Sequence, residues 1–187
     1  MHPKIEQILN TASGLGISTA IITNGTLLTA NIIKTLLKNS TRVYISLDGA
    51  NPETHDRIRG KRGTFKKVVQ SINLFNELQV KYGGRLGLRY VVQGENISEI
   101  PAFFEFAHRH NIEDFSFELV SGEFHNFITD KDFENLRRIL HKLVNDYGYF
   151  YTKDKIYWLD NILQKKVSEK SLSKGKPQKD LFLHEPL

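Results

Sequence analysis

The sequence contains no cysteine in its 187 residues. This absence excludes disulfides, thiolate nucleophiles, cysteine-bound zinc and any iron–sulfur cluster held by cysteines of this chain. Long apolar runs are also missing, because no stretch approaches the roughly 18 apolar residues that a membrane span requires. The first residues, MHPKIEQILN, do not combine a charged start with an apolar stretch, as a secretion signal does. We therefore predict a cytoplasmic protein without a membrane partner.

The charge is moderately unbalanced, with 26 Lys and Arg residues against 21 Asp and Glu residues. Many of the basic residues lie at or beyond Lys153, in a segment rich in Lys and Ser. No basic stripe interleaved with aromatic residues and no known nucleic-acid motif accompanies them. The composition therefore indicates a globular domain with its own core, and it does not predict nucleic acid as the main partner.

Strand patterns alternate with helical patterns over the first two thirds of the chain. Strands are predicted near residues 17–25, 42–47, 83–94 and 113–120, and helices follow the first three of them. Thr64 and Ser98 are the predicted N-caps of the second and third of these helices. Because parallel neighbours need a crossover that a helix supplies, the alternation predicts an α/β fold with a parallel sheet.

Functional groups collect at the carboxyl ends of the strands in such a sheet. The predicted edge, which we call the rim, carries small, polar and acidic residues that follow each strand. These residues are Thr23, Asn24, Gly25, Ser46, Asp48, Gln93, Gly94, Glu118 and Val120.

The pattern becomes helical beyond the last predicted strand. Thr129 and Asp132 occupy the positions of a capping box, and apolar residues follow at helical spacing. A second helix is predicted near residues 155–166, before a polar segment rich in Ser, Lys and Gly. We therefore predict an α/β domain over residues 1–125, a helical extension over 126–167 and a flexible tail over 168–187.

Parts of the sequence resemble the radical SAM superfamily in order and spacing. IITNGTLLT is similar to the third strand of that family and its turn, and VYISLDGANPETHDRIRG is similar to the fourth strand and the start of its helical connection. VVQGENISEI, together with the helix and strand after it, is similar to the fifth and sixth strands. The resemblance implies a partial (β/α) barrel with about four parallel strands, followed by C-terminal helices.

The resemblance also implies roles for individual residues. Ser46 matches a residue that contacts S-adenosylmethionine in the family, whereas Asp48 matches a residue that often faces the substrate. The implied cofactor-binding residues are Thr23, Asn24, Gly25, Ser46, Val91 and Val120. The implied substrate-binding residues are Asp48, His55 and Arg59, and the substrate would be a peptide or a small molecule. No residue is predicted as catalytic or as a metal ligand.

Local chemistry offers a second interpretation of part of the SLDG segment. Asn51 can cap a helix, Pro52 suits its first position and Glu53 suits the positive end of its dipole. His55, Asp56 and Arg59 are equally consistent with a salt-bridged loop that closes the rim. Small polar groups such as Ser46 and Asp48 at the end of a buried strand need either a local partner or a ligand, and we favour the ligand.

The sequence lacks two motifs of the family that bind the iron–sulfur cluster and the cofactor. The CxxxCxxC loop that holds the [4Fe–4S] cluster is absent, as is the Gly-Gly-Glu turn that contacts the methionine amino group. We therefore expect a chain that starts inside the barrel and cannot bind the cluster. The first remaining strand would then expose an unpaired edge, which predicts a separate chain or a homodimer mate as its cover.

Three hypotheses arise from these features. The first is the C-terminal portion of an S-adenosylmethionine-dependent iron–sulfur enzyme that modifies a peptide or a cofactor and is not catalytic alone. The second is an inactive binding module derived from the same family, for a peptide or a nucleoside. The third is an unrelated α/β lyase that uses His55 or Asp48 as an acid–base group.

Overall fold

The computed structural model describes residues 2–119 and 128–147. In chain order the elements alternate between helix and strand. They are α1 (Ile5–Gly14), β1 (Ala20–Thr23), α2 (Ala30–Lys38), β2 (Arg42–Ser46), α3 (Pro52–Ile58), α4 (Thr64–Tyr82), β3 (Leu86–Val92), a 3₁₀ turn (Ile97–Glu99), α5 (Ile100–Arg109), β4 (Asp114–Leu119) and α6 (Asp130–Tyr147).

The four strands form one sheet in the order β1-β2-β3-β4. Every neighbouring pair is parallel, with Thr23 beside Ile45 and Ile45 beside Leu88. The predicted α/β class with a parallel sheet is therefore confirmed. All four carboxyl ends lie on one edge, where the predicted rim residues other than Val120 are found.

The two faces of the sheet differ in composition, because side chains alternate along each strand. One face, here the apolar face, carries Val43, Ile45 and Leu88, all with no solvent exposure. Helix residues such as Ile33, Val68 and Phe103 are equally buried. The register places Tyr44, Ser46, Gly87, Arg89, Asp114, Ser116 and Glu118 on the other face, here the polar face.

An aromatic cluster joins α5 to β3 and β4 in the core. The Tyr90 and Phe103 rings lie 4.7 Å apart, and the Phe104 and Phe115 rings lie 4.9 Å apart. Phe117 contacts the same rings from β4. Aromatic rings in these edge-to-face and offset arrangements contribute beyond the area that they bury. The cluster fixes α5 and hence the turn that precedes it.

Two predicted N-caps are wrong, and in both cases a neighbouring segment explains the difference. Gly63, with a φ of 82°, precedes α4, and Thr64 is already helical. Asp56 instead accepts hydrogen bonds from the Phe65 N–H at 2.7 Å and the Thr64 hydroxyl at 2.6 Å. Ser98 lies inside the 3₁₀ turn, so that Glu99 occupies the N-cap position of α5.

The first strand is shorter than predicted. β1 begins at Ala20, whereas the sequence pattern placed its start near residue 17. The Ile17 N–H donates a hydrogen bond to the Ala12 carbonyl at 2.9 Å, which closes the end of α1. That contact ties Ile17 to α1 instead of to the sheet.

The capping box of α6 is confirmed. The Thr129 N–H donates to Asp132 Oδ2 at 2.7 Å, and the Asp132 N–H donates to Thr129 Oγ1 at 3.2 Å. One compact unit ends at Ile139, and a second begins at Leu140. The predicted boundary after residue 125, the predicted helix near 155–166 and the predicted tail over 168–187 lie outside the described residues. The predicted domain division therefore stays a prediction.

No helix within residues 2–119 and 128–147 combines the length and apolar character needed to cross a membrane.

Candidate functional site

The turn after β1 brings Thr23, Asn24 and Gly25 to the rim. Thr23 Oγ1 accepts a hydrogen bond from the Gly25 N–H at 3.1 Å. Asn24 Oδ1 accepts from the Thr26 N–H at 3.1 Å and from the Thr26 hydroxyl at 3.0 Å. The Asn24 side-chain nitrogen makes no hydrogen bond to the part of the chain that the structure describes. This exposed amide can therefore donate to a ligand.

Gly25 is required by the packing beneath the turn. It has a φ of 73°, and a Cβ there would lie 2.9 Å from Ile45 Cγ2. Its carbonyl accepts a hydrogen bond from the Ser71 hydroxyl at 2.7 Å. Gly25 thus has a structural explanation, while its predicted contact with a cofactor stays a prediction.

Ser46 ends β2 on the polar face. It is half-buried, and its hydroxyl makes no hydrogen bond to any residue that the structure describes. Because Thr23 pairs with Ile45, the next residues along the two strands, Asn24 and Ser46, are neighbours at the rim. Two polar side chains with unused hydrogen-bonding capacity, Asn24 and Ser46, therefore follow adjacent strands at the rim, and we call this pair the open rim.

Asp48 lies two residues beyond Ser46 and is almost fully enclosed, at 3% exposure. Its Oδ2 lies 2.6 Å from Arg59 Nη2, and its Oδ1 accepts a hydrogen bond from the Val91 N–H at 3.1 Å. Burial raises the pKa of Asp48, and the charge of Arg59 and the hydrogen bond from Val91 oppose that effect. Both carboxylate oxygens therefore have partners within the protein, and Asp48 holds Arg59 and the end of β3 in place.

His55 contacts the same loop from α3. Its Nδ1 accepts a hydrogen bond from the Asp48 N–H at 3.1 Å, so that the neutral ring carries its proton on Nε2. Burial, followed by the charge of Arg59, lowers the pKa of His55 to about 4. The ring also packs edge-on against Phe65, with centroids 5.9 Å apart. His55 is therefore a neutral, buried hydrogen-bond acceptor near pH 7.

Gly49 makes this close contact between loop and helix possible. A Cβ at Gly49 would lie 2.7 Å from the His55 backbone nitrogen. Because real Cβ atoms do not approach backbone nitrogen so closely, only glycine fits between Asp48 and α3. The DG pair in SLDG is thus explained by packing.

Asn96 joins the ends of β2 and β3 and was not predicted from the sequence. It is fully buried, and its Nδ2 donates to the Asp48 carbonyl at 3.0 Å and to the Val91 carbonyl at 2.8 Å. Its Oδ1 accepts a hydrogen bond from the Gln93 N–H at 2.9 Å. Every polar atom of the Asn96 side chain therefore holds the backbone of the rim.

Glu99 holds the same loop from the 3₁₀ turn and was also missed. Its carboxylate accepts hydrogen bonds from the Ala50 N–H at 2.8 Å and from the Thr54 hydroxyl. The predicted cap by Asn51 is confirmed nearby, since its Oδ1 accepts from the Thr54 N–H at 2.9 Å. Asp48, His55, Arg59, Asn96 and Glu99 form what we call the interlocked cluster.

Arg59 is the member of this cluster that keeps an unused hydrogen-bond donor. Its side chain is 30% exposed, and its buried Nε has no hydrogen-bond partner in the described residues. The structure thus brings Asp48, His55 and Arg59 together, with the ion pair between Arg59 and Asp48. Asp56, the acidic residue of the salt-bridged loop that the sequence offered as an alternative, instead accepts hydrogen bonds from the start of α4. The predicted roles of Asp48, His55 and Arg59 in substrate binding remain predictions.

The polar face carries further charged groups below the rim. Arg89 on β3 forms an ion pair with Glu118 on β4, and the Tyr44 hydroxyl donates to Asp114 Oδ2 at 3.0 Å. Val91, a predicted cofactor contact, is half-buried on the same face. Val120 lies outside the described residues. A ligand on this face would meet a mixed polar and apolar surface.

Comparison with known families decides the classification. The sequence model of the radical SAM superfamily matches residues 1–107. The chain belongs to the radical SAM superfamily. The predicted resemblance is therefore confirmed over more than half of the sequence.

The curated relatives belong to two kinds of biosynthesis. An AdoMet-dependent heme synthase from Methanosarcina barkeri is 32% identical over 107 residues, which cover 57% of this chain and 30% of the synthase. The antilisterial bacteriocin subtilosin biosynthesis protein AlbA from Bacillus subtilis is 34% identical over 79 residues, which cover 41% of this chain and 18% of AlbA. The chain thus spans less than a third of the length of these relatives.

Solved structures of other radical SAM proteins share the fold. Streptococcus suis SuiB bound to S-adenosylmethionine superposes with a TM-score of 0.62 at 19% identity, over 77% of this chain and 32% of SuiB. Another crystal structure holds SuiB bound to the precursor peptide SuiA. TYW1 with a lysine–pyruvate adduct superposes with a TM-score of 0.55 at 17% identity, over 77% of this chain and 46% of TYW1.

The two cofactors of the radical SAM family fit this sequence unequally. The half-buried Ser46 hydroxyl and the Asn24 amide, with apolar Val91 on the polar face, suit the polar and apolar parts of S-adenosylmethionine. The [4Fe–4S] cluster does not fit, since the 187 residues include no cysteine. Within the described ranges, no three His, Asp or Glu side chains group as metal ligands either.

Proposed function

We propose that this chain forms the C-terminal portion of the barrel of an S-adenosylmethionine-dependent iron–sulfur enzyme. The cysteine ligands of the cluster then belong to sequence outside these 187 residues, and this chain is not catalytic by itself. The observation that carries the proposal is the Ser46 hydroxyl, unpaired among the described residues and beside Asn24, at the carboxyl edge of a parallel sheet in a member of this family.

The relatives support a peptide or a cofactor as the substrate. AlbA belongs to bacteriocin biosynthesis, and SuiB has been crystallised with its precursor peptide. The heme synthase acts in cofactor synthesis. We infer the same broad type of substrate here, and the polar face with its Arg89–Glu118 pair supplies charged groups for it.

The residues of this chain bind and orient the cofactor in this proposal. Ser46 and Asn24 donate hydrogen bonds to polar groups of S-adenosylmethionine, and Val91 contacts its apolar part. The cofactor supplies the reacting group of the chemistry. The interlocked cluster keeps the ends of β2 and β3 in register, so that Ser46 and Val91 hold fixed positions.

An exposed edge favours a second polypeptide. β1 ends the sheet order, and Ile22 on that strand is 55% exposed. Leu27 in the following turn is 63% exposed. We propose that another strand pairs with β1, from a separate chain or from a homodimer mate. Size-exclusion chromatography with light scattering distinguishes a monomer from a homodimer.

Thermal unfolding with and without S-adenosylmethionine tests the cofactor site. A ligand that binds only the native state at 100 times its Kd stabilises it by about 2.7 kcal/mol. For a chain of this size we expect the melting temperature to rise by about 5 to 10 °C. Ser46→Ala should remove most of the rise, whereas Ser98→Ala, an exposed serine in the 3₁₀ turn, should keep it. A cooperative transition that ignores the cofactor would contradict the proposal.

The second candidate is an inactive binding module for a peptide or a nucleoside. It shares the open rim but needs no cluster-bearing partner. Co-purification with a cysteine-bearing barrel segment favours the enzyme portion, and a stable monomer that binds the nucleoside favours the module. The unrelated lyase does not agree with membership of the radical SAM superfamily.

A further inference from the structure

A cavity lies at the amino ends of β2 and β3, opposite the rim. Its volume is about 320 Å³, within the range of about 300 to 1,000 Å³ that is usual for small-molecule sites. Polar and basic groups dominate its walls. Ser40, Thr41, Arg42, Tyr82 and Arg85 line it together with Leu37.

Two arginines come together in this cavity. Val43 pairs with Leu86 across β2 and β3, so the preceding residues, Arg42 and Arg85, are neighbours on adjacent strands. Like charges at opposed positions of a sheet are destabilising. Neither guanidinium forms an ion pair in the portion of the chain that the structure describes. Both side chains are exposed, so the open cavity presents two positive charges that have no ion-pair partner in the described residues.

Hydroxyl groups complete the cavity wall. Thr41 is 1% exposed, and its Oγ1 shares a hydrogen bond with Thr19 Oγ1 at 2.8 Å. The Ser40 hydroxyl makes no hydrogen bond to a described residue. Two guanidinium groups with adjacent hydroxyls are the donor set that recognises phosphate oxygens.

We propose that this cavity binds the phosphate group of a small phosphorylated molecule. The anion accepts hydrogen bonds from Arg42 and Arg85 and neutralises their mutual repulsion. The site lies at the end of the sheet opposite the open rim, so it is distinct from the proposed cofactor site. Its occupancy is expected to stabilise the sheet and the chain between α4 and β3.

Calorimetric titration of the full chain with inorganic pyrophosphate at low ionic strength tests the site. We expect saturable binding and a rise in melting temperature with pyrophosphate. Arg42→Gln and Arg85→Gln should each weaken binding at least tenfold, and the double variant should abolish it. Without the anion, Arg85→Gln should melt slightly above the native chain, because the repulsion is relieved.

Arg62→Gln is the matched control, because Arg62 is exposed and lies just before α4, at the rim end of the sheet. It removes the same charge and should change the affinity less than twofold. The proposal is overturned if the native chain does not bind pyrophosphate at 10 mM, or if Arg62→Gln weakens binding as much as Arg85→Gln. S-adenosylmethionine binding is measured separately, so the proposed phosphate site and the proposed cofactor site can be rejected independently of each other.

Discussion

The interlocked cluster and the open rim differ in how their polar groups are used. The carboxylate of Asp48, the Nδ1 of His55 and the side chain of Asn96 are all bonded within the protein. The Ser46 hydroxyl and the Asn24 amide nitrogen, at the carboxyl ends of β2 and β1, have no partner among the described residues. The most distinctive sequence motif thus builds the scaffold, and less distinctive residues beside it remain available to a ligand.

An unpaired polar group costs more stability in the interlocked cluster than in the open rim. Buried polar groups must be paired, because an unpaired one costs about 1 to 3 kcal/mol. Half-buried groups at a rim can bond to water when no ligand is present. Substitutions in the interlocked cluster should therefore change stability, whereas substitutions in the open rim should change binding.

Asn96→Ala should give the largest loss of stability. It leaves the Asp48 and Val91 carbonyls and the Gln93 N–H without their side-chain partner in a buried site. We expect the free energy of unfolding to fall by about 3 kcal/mol, measured by urea denaturation. Asn24→Ala removes the same chemical group at an exposed position and should cost far less. Equal losses for the two variants would erase the contrast between the two regions.

Acid should destabilise the interlocked cluster through His55. An unfolded histidine takes up a proton as the pH falls below 6.5, whereas folded His55 stays neutral down to a pKa of about 4. The unfolded chain therefore binds more protons in this range, and the free energy of unfolding falls as the pH is lowered. Between pH 7 and pH 5 this one group should cost about 2 kcal/mol.

Urea denaturation of the native chain and of His55→Asn at both pH values isolates the contribution of His55 to the loss in free energy of unfolding. The asparagine keeps an acceptor for the Asp48 N–H but does not titrate. The variant should lose about 2 kcal/mol less than the native chain on acidification, and the remaining loss reports other groups, such as His110, whose pKa is also lowered by burial. The same loss in both proteins would mean that His55 is accessible to protons in the folded state.

Local features of the site could be predicted from the sequence. The cap by Asn51, the helix start at Pro52 and the parallel class of the sheet depend on neighbouring residues and on short periodic patterns. These signals lie within a few positions of each other. The predictions made from them are correct because no distant segment of the chain forms competing contacts at these positions.

The contacts that hold the loop could not be predicted from the sequence. Asn96 contacts Asp48 across 48 positions, and Glu99 contacts Ala50 across 49 positions. GENISE shows mainly polar residues after a strand, and nothing local distinguishes these two from Glu95, which forms an exposed ion pair with Arg57. The same reason explains the wrong cap at Thr64, since Asp56 reaches the start of α4 from another helix.

The open rim should give the smallest change in stability. Ser46→Ala removes a hydroxyl that bonds to no described residue, so the free energy of unfolding should stay within about 0.5 kcal/mol of the native value. Thr54→Ala is the informative counterpart, because the Thr54 hydroxyl donates to Glu99 of the interlocked cluster and its loss should cost about 1 kcal/mol. Urea denaturation of both variants gives the comparison. A loss at Ser46 as large as that at Thr54 would show that its hydroxyl has a protein partner, and the rim would then be scaffold as well.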